Sequence, residues 1–342
     1  MIQPLGGRLL GAILFAALAV PSSAYAEEPV DRASVRAQVD AWTTPSAEAT
    51  RGTQPAAPRL ARGEGRLGWG LEVRTAALRQ FASDIDGGGR LEVGRLFTQA
   101  NVSYSPKPKM PLTVSFGYRF DGYDFDGRAT GPFPGRPWSD VHSFTVGVPV
   151  FVPISPRWFL LAVPVVRTSA EDGAAFEDGI SAGGFVGASY KVNDRLRIGP
   201  GIGVLTQIED DPSIFPVILV DWQLARTVRL KTGRGLGATQ GPGIFLEWEP
   251  NRRWKLAAGG RFDSLRFRLD KRGVAPGGVG EESGLAVVLG ATFRASTRAE
   301  FAISAGMSFM GELRLEDRDG NLLIREDYDP APFLGLGFTL RL

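Results

Sequence analysis

Residues Ala331–Leu342, APFLGLGFTLRL, decide the fold. Leu334, Leu336, Phe338, Leu340 and Leu342 fall on one side of a period-2 pattern, and Gly335, Gly337, Thr339 and Arg341 on the other. Successive side chains of an extended chain point to opposite faces, so this is a strand with one wholly apolar face.

The other end of the chain supplies the context. Met1–Ala26 has a basic start at Arg8, an apolar run from Leu9 to Val20 and an Ala24-Tyr25-Ala26 end, the pattern of a secretory signal peptide cut before Glu27. The apolar run of 12 residues is shorter than the roughly 20 a transmembrane helix needs, and no later stretch qualifies. With no cysteine there is no lipid anchor, disulfide or thiol chemistry. A strand with one greasy face behind an export signal reads as the closing strand of a bacterial outer-membrane β-barrel. The near-zero mean hydropathy is no objection, because barrels alternate their apolar residues. The net charge of +2, with no basic cluster interleaved with aromatics, gives no nucleic-acid footprint.

Residues 27–65, rich in Ala, Pro, Thr, Glu and Arg, read as a disordered periplasmic arm. Val35, Val39 and Trp42 have helical spacing within it, which allows a short plug or partner-binding helix as well as a transient one. From residue 66 to 342 the character changes to alternating segments. Strands are predicted over 66–81, 91–105, 111–121, 140–152, 157–168, 179–191, 195–208, 214–224, 227–233, 241–249, 253–269, 282–295, 299–314 and 331–342, fourteen in all. Merging the short ninth and tenth gives twelve, and splitting a long one gives sixteen.

The connections alternate in kind. Short, often basic turns (Ser105–Met110, Pro153–Arg157, Val192–Arg195, Ala225–Thr227, Pro250–Arg253, Ala295–Arg298) take turns with mostly longer acidic loops (Ser83–Gly89, Gly122–Ser139, Ser169–Asp178, Glu209–Asp211, Gly233–Gln240, Asp270–Glu281, Glu316–Pro330). Short turns on one rim and longer loops on the other describe an all-β, transmembrane antiparallel up-and-down β-barrel with both termini periplasmic. Five of the seven tryptophans, Trp69, Trp158, Trp222, Trp248 and Trp254, stand near the short-turn ends, as an interfacial girdle requires. Tyr123, Phe125 and Trp138 stand where the opposite girdle is expected. A secreted β-sandwich, the rival, has strands of about 5–6 residues and no reason to alternate its loops. The last strand is expected to pair with the one opened by Leu67, Trp69 and Leu71, with Arg341 inward at the periplasmic rim, since only that closure removes both edges from lipid.

The stretches Ile214–Gln223 (IFPVILVDWQ) and Gly241–Leu256 (GPGIFLEWEPNRRWKL) resemble a family of Gram-negative outer-membrane barrels known only as a domain of unknown function, over most of 65–342. The resemblance implies the fold and carries no activity. Many such barrels end in Phe where this chain ends in Leu342; with the alternation behind it intact, Ala331–Leu342 is expected to serve the barrel-assembly machinery.

No catalytic set stands out. The single histidine, His142, shares a strand face with Asp140 and not with Ser143, and no nucleophile elbow accompanies it, so no enzyme is expected. Asp121, Asp124, Asp126 and Gly127, like Asp317, Asp319 and Gly320, lack the ligand register of a calcium loop; no metal or cofactor is expected, and the acidic loops suit lipopolysaccharide and loosely held divalent ions. Function is expected inside the barrel. If apolar residues face lipid, Glu72, Arg74, Arg119, Asp121, Asp221, Glu247, Arg261, Asp263, Arg266, Arg268, Glu312 and Arg314 point into the lumen. These charges either line a water-filled pore or pair across it. The glycines Gly117, Gly147, Gly199, Gly201, Gly203, Gly306, Gly335 and Gly337 on that face leave room, which favours a passive, porin-like channel for small solutes over a non-conducting structural or adhesion barrel working through its loops or arm. Solute and oligomeric state are not legible.

Overall fold

The computed structural model describes residues 68–105, 112–127, 136–233 and 243–342. The segments expected to form a signal peptide (1–26) and an arm (27–65, with Val35, Val39 and Trp42), together with residues 66–67, 106–111, 128–135 and 234–242, lie outside the described residues.

Sixteen strands are described: β1 (Gly68–Asp84), β2 (Arg90–Ser105), β3 (Leu112–Asp126), β4 (Val141–Gly147), β5 (Val150–Pro153), β6 (Trp158–Glu171), β7 (Ile180–Asn193), β8 (Leu196–Gln207), β9 (Asp210–Gln223), β10 (Val228–Gly233), β11 (Gly243–Trp248), β12 (Trp254–Arg268), β13 (Val279–Arg294), β14 (Ala299–Glu316), β15 (Leu322–Tyr328) and β16 (Ala331–Arg341). β4 and β5 are two pieces of one wall strand, both paired with β6 and separated at Val148-Pro149, where the proline has no N–H to give. β15 pairs along its length with the outer end of β14, and at Tyr328 it bridges to Ile85 just past β1. The remaining strands run antiparallel to their neighbours, and β16 sits between β14 and β1, so the sheet closes into a ring of fourteen wall positions. The closing seam runs from Glu72↔Arg341 to Gln80↔Phe333, joining the first strand to the last. One expectation needs correction: Glu316–Pro330 is not simply a loop, since β15 lies within it. With a bridge at one end as its contact beyond β14 and much of its surface exposed, β15 has no need of the lipid-facing row by which wall strands are recognised.

Four of the short turns are built alike. In NDRL, NRRW, SPRW and STRA the first side chain accepts two backbone N–H groups: Asn193 from Arg195 and Leu196 (2.8 and 2.9 Å), Asn251 from Arg253 and Trp254 (2.9 and 3.0 Å), Ser155 from Arg157 and Trp158 (3.3 and 3.0 Å), and Ser296 from Arg298 and Ala299 (3.1 and 3.0 Å). Asn and Ser thus reverse the chain by local bonding. Asn251→Ala is expected to cost about 1 kcal/mol, read as a lowered urea midpoint for the lipid-folded barrel. An unchanged midpoint would show that solvent replaces both bonds.

The outer face is apolar at wall height. Leu336 (66% exposed), Leu289, Ile303, Ile214, Ile202, Val166 and Phe301 point away from the barrel, while their chain neighbours turn inward. So large an apolar surface, on strands whose backbone groups pair around a closed ring, is stable in a bilayer and not in water. Trp69, Trp158, Trp222, Trp248 and Trp254 are all exposed, beside short-turn ends or the start of β1, and three meet aromatic partners across the strand pair: Trp69–Tyr104, Trp158–Tyr190 and Trp254–Phe293, each with ring centroids 5.0 Å apart.

Candidate functional site: the barrel interior

The interior is layered along the barrel axis. Near the short turns it is polar and wet. Glu72, buried to 1% exposure, accepts from Arg74 (2.7 Å) and Arg341 (2.9 Å), and Arg341 also reaches Glu300 (3.1 Å). Farther round the wall Glu247 meets Lys231 (2.8 Å) and Lys255 (3.5 Å), and both carboxylate oxygens of Asp221 accept from one edge of the Arg229 guanidinium, Nε and Nη2. These contacts run along the wall, and Arg74 and Lys231 stay open to water.

The next layer is greasy: Ala76, Leu78, Phe97, Phe245, Ala286, Val288 and Phe333 form one buried cluster from β1, β2, β11, β13 and β16. Above it lies a buried ionic layer. Asp121, fully buried, accepts from Arg95 Nε (2.9 Å) and from Arg119 Nε and Nη2 (2.6 and 2.8 Å). Arg95 also donates to Gln80 (3.0 Å) and to Glu282, whose carboxylate accepts from Tyr123 (2.7 Å) and Tyr328 (3.2 Å). Arg119 reaches across the ring from β3 to Asp263 of β12 (3.4 Å), which Arg261 also contacts (3.3 Å). Ions removed from water persist only when paired and hydrogen-bonded in this way. The cavity left among Arg95, Arg119, Asp263, Glu282 and Tyr328 measures ≈ 30 Å³, room for about one or two waters.

A second apolar cluster caps the ionic layer. Tyr123, Phe125 and Trp138, expected at the outer girdle, are buried inside it and pack edge-on: Trp138 lies 5.8 Å from Tyr123, 5.5 Å from Phe125 and 5.4 Å from Phe267. This corrects the girdle reading, and the reason is parity. Tyr123 and Phe125 continue the inward row of Arg119 and Asp121, not the outward row of Phe116, Tyr118 and Phe120.

The twelve charges expected in the lumen occupy different places. Glu72, Arg74, Asp221 and Glu247 belong to the wet end, and Arg119, Asp121, Arg261 and Asp263 to the ionic layer. Arg266 and Arg268 lie on the opposite face of β12 from Leu265 and Phe267 and are buried under outer loops. Arg266 donates to the Ile208 carbonyl (2.7 Å) and pairs with Glu281 (3.2 Å) and Glu316; Arg268 donates to the carbonyls of Asp178 (3.1 Å) and Gly277 (3.0 Å) and pairs with Glu209 (2.6 Å). Glu312 and Arg314 share that side, because an extra residue in β14 at Met310 (φ 52°) shifts its alternation against β13. Nearby, Arg268 forms a parallel bridge with Ala170 of β6, so the outer ends of β6 and β12 touch.

Sequence reasoning missed Arg95, Glu282, Gln80 and Tyr328. Arg95 was within reach: counting outward from the turn after β2 pairs it with Asp121. The glycine argument also changes. A Cβ at Gly203 would fall within the ring of Phe215, and one at Gly306 against Phe333, so aromatic rings from neighbouring strands take the room these glycines leave.

The inner face of β6 is apolar between its short-turn end and Arg167. Phe159, Leu161, Val163 and Val165 form an inward column on β6 that is only half-buried. His142 faces outward, hydrogen-bonded to Tyr118 (2.9 Å) beside Phe120, while Ser143 is buried on the inner side. Asp317 accepts from Asp319 and Asn321 backbone N–H groups (2.9 and 2.8 Å) and from the Asn321 amide (2.9 Å), which hold its carboxyl below the usual carboxylate range and shape the β14–β15 turn.

A closed ring of strands with an apolar outer belt and a charged interior defines a transmembrane β-barrel of the outer-membrane type. Residues 137–341 match a family model described as a domain of unknown function (DUF6268), and the chain belongs to that family. No curated protein sequence matches it. Similar solved structures include the COG4313 outer membrane channel from Pseudomonas putida F1 (10% identity, 86% of this chain and 100% of that one, TM-score 0.46), the P. putida toluene transporter TodX (10%, 85% and 93%, 0.40) and the NanC porin (9%, 80% and 100%, 0.36).

Proposed function

We propose that this protein is a passive outer-membrane channel for small solutes, with a wet periplasmic vestibule leading to a narrow ionic constriction. The observation that carries the reading is the water-accessible charge inside the short-turn half: a barrel filled for strength alone would bury Arg74 and Lys231. Lumen-facing roles then fall to Glu72, Arg74, Asp221 and Glu247 in the vestibule and to Arg119, Asp121, Arg261 and Asp263 at the constriction. Arg266, Arg268, Glu312 and Arg314 secure the outer loops. Trp69, Trp158, Trp222, Trp248 and Trp254 form the periplasmic interfacial girdle. Ala331–Leu342 engages the assembly machinery after export, and the acidic loops face lipopolysaccharide.

The ≈ 30 Å³ cavity in the ionic layer favours a second reading, a non-conducting structural barrel. Planar-bilayer recordings separate the two. Wild type is expected to conduct weakly and Asp263→Ala, which frees the Arg119 contact across the ring, severalfold more. Silence from both, across voltage and pH, would sink the channel.

A further inference from the structure

The half-buried column Phe159, Leu161, Val163, Val165 on β6 ends, toward the outer loops, at Arg167 and Ser169. Strand register sets Ser143 of β4 opposite Ser169 and Thr145 opposite Arg167, while Arg119 of β3 stands opposite Ser143. The inward faces of three adjacent strands therefore gather polar groups where the apolar column stops. Several are buried without a partner among the described residues: the hydroxyls of Ser143 (2% exposed) and Ser169 (1%), and Nε of Arg167. Buried polar atoms are nearly always hydrogen-bonded, so orphans concentrated at one place mark a site whose partner comes from outside the chain.

Charge points the same way. Arg167 interacts electrostatically with Arg119, Asp263 and Glu281 but forms no ion pair among the described residues. Asp263 is already shared by Arg119 (3.4 Å) and Arg261 (3.3 Å), and Glu281 by Arg266 (3.2 Å) and Arg314 (3.7 Å). Arg95 and Arg119 use Asp121 and Glu282. Across the layer four arginines, Arg95, Arg119, Arg167 and Arg261, face three carboxylates, Asp121, Asp263 and Glu282. Nε and Nη1 of Arg261 are unpartnered as well. Among the described residues, one cation is in excess at the head of a greasy wall.

We propose that this is the binding site for an amphipathic organic monocarboxylate. Its carboxylate sits on Arg167 and accepts from the Ser143 and Ser169 hydroxyls, and its apolar body lies along the β6 column. A guanidinium fork suits a carboxylate, and a charge-assisted bond in a dry setting is strong. The assignment rests on the channel reading and names the solute class that the constriction selects.

The test uses benzoate, benzyl alcohol and acetate, titrated calorimetrically into the purified full-length barrel. Benzoate is expected to bind at least tenfold more tightly than the other two, since one lacks the charge and the other the body. Arg167→Met is expected to weaken benzoate by about 10–100-fold. The double variant Ser143→Ala/Ser169→Ala is expected to weaken it less, and supplies the answer should Arg167→Met not fold. Acetate binding as well as benzoate, or benzoate affinity surviving in the folded variants, would overturn the proposal. Wild type that conducts but does not bind benzoate overturns the site and leaves the channel. A barrel that binds benzoate and never conducts overturns the channel and leaves the site.

Discussion

Asp121→Ala is expected to destabilise the barrel by about 3–5 kcal/mol, the usual penalty for stranding a buried ion. Asp121 is fully buried and holds Arg95 and Arg119 through three hydrogen bonds of 2.6–2.9 Å. Its loss leaves both guanidinium groups between two apolar layers, with only Glu282 and Asp263 to share. Chemical unfolding of barrel folded into phosphatidylcholine vesicles, followed by tryptophan fluorescence, measures the change. Residues that share a network are not additive, so Arg119→Ala in the Asp121→Ala background should cost far less than alone. A loss below about 1 kcal/mol would mean that water reaches the layer and that the constriction is open.

Leu336→Arg is expected to cost about 2–4 kcal/mol, and Leu340→Arg about 0–1, because a lipid-facing cation is most expensive near the bilayer midplane. Both leucines lie on the outward face of β16. Leu336 pairs with Ala77 and Ile303 in mid-strand, while Leu340 pairs with Val73 and Ala299 close to the short-turn rim. The pair reads depth and facing together, by unfolding titrations in the same vesicles. Equal costs at the two positions would place the membrane elsewhere on the barrel. Negligible cost at both would put this row against water or another protein.

Much of the architecture was legible because a wall strand obeys one local rule. Lipid on one side and a polar interior on the other impose alternation residue by residue, and the turns announce themselves through Asn or Ser followed by Arg. Counting back from a turn gives register, which is how Arg95 opposite Asp121 could have been found across Ser105–Met110. Reading became unreliable where both sides of a strand are covered. Toward its outer end β12 carries Leu265 and Phe267 on one face and Arg266 and Arg268 on the other, all buried, so apolarity no longer distinguishes lumen from lipid. An extra residue in β14 moved Glu312 and Arg314 to the face opposite Leu313 and Leu315, and a bulge of that kind leaves little trace in composition.

The closing strand, Ala331–Leu342, shows where the division falls. Its apolar row, its place at the end of the ring and the inward turn of Arg341 follow from period-2 chemistry alone, because every term is local to one strand or one pair. What the barrel encloses was decided by tertiary structure. Whether inward charges line water or pair across the lumen depends on distances between strands far apart in the chain, such as the 3.4 Å from Arg119 to Asp263. Whether inward glycines leave space depends on which ring lies over them, as Phe215 does over Gly203. The guanidinium of Arg167, without an ion pair among the described residues, belongs with these: it is an excess that exists only once Asp121, Asp263 and Glu282 have taken their own partners.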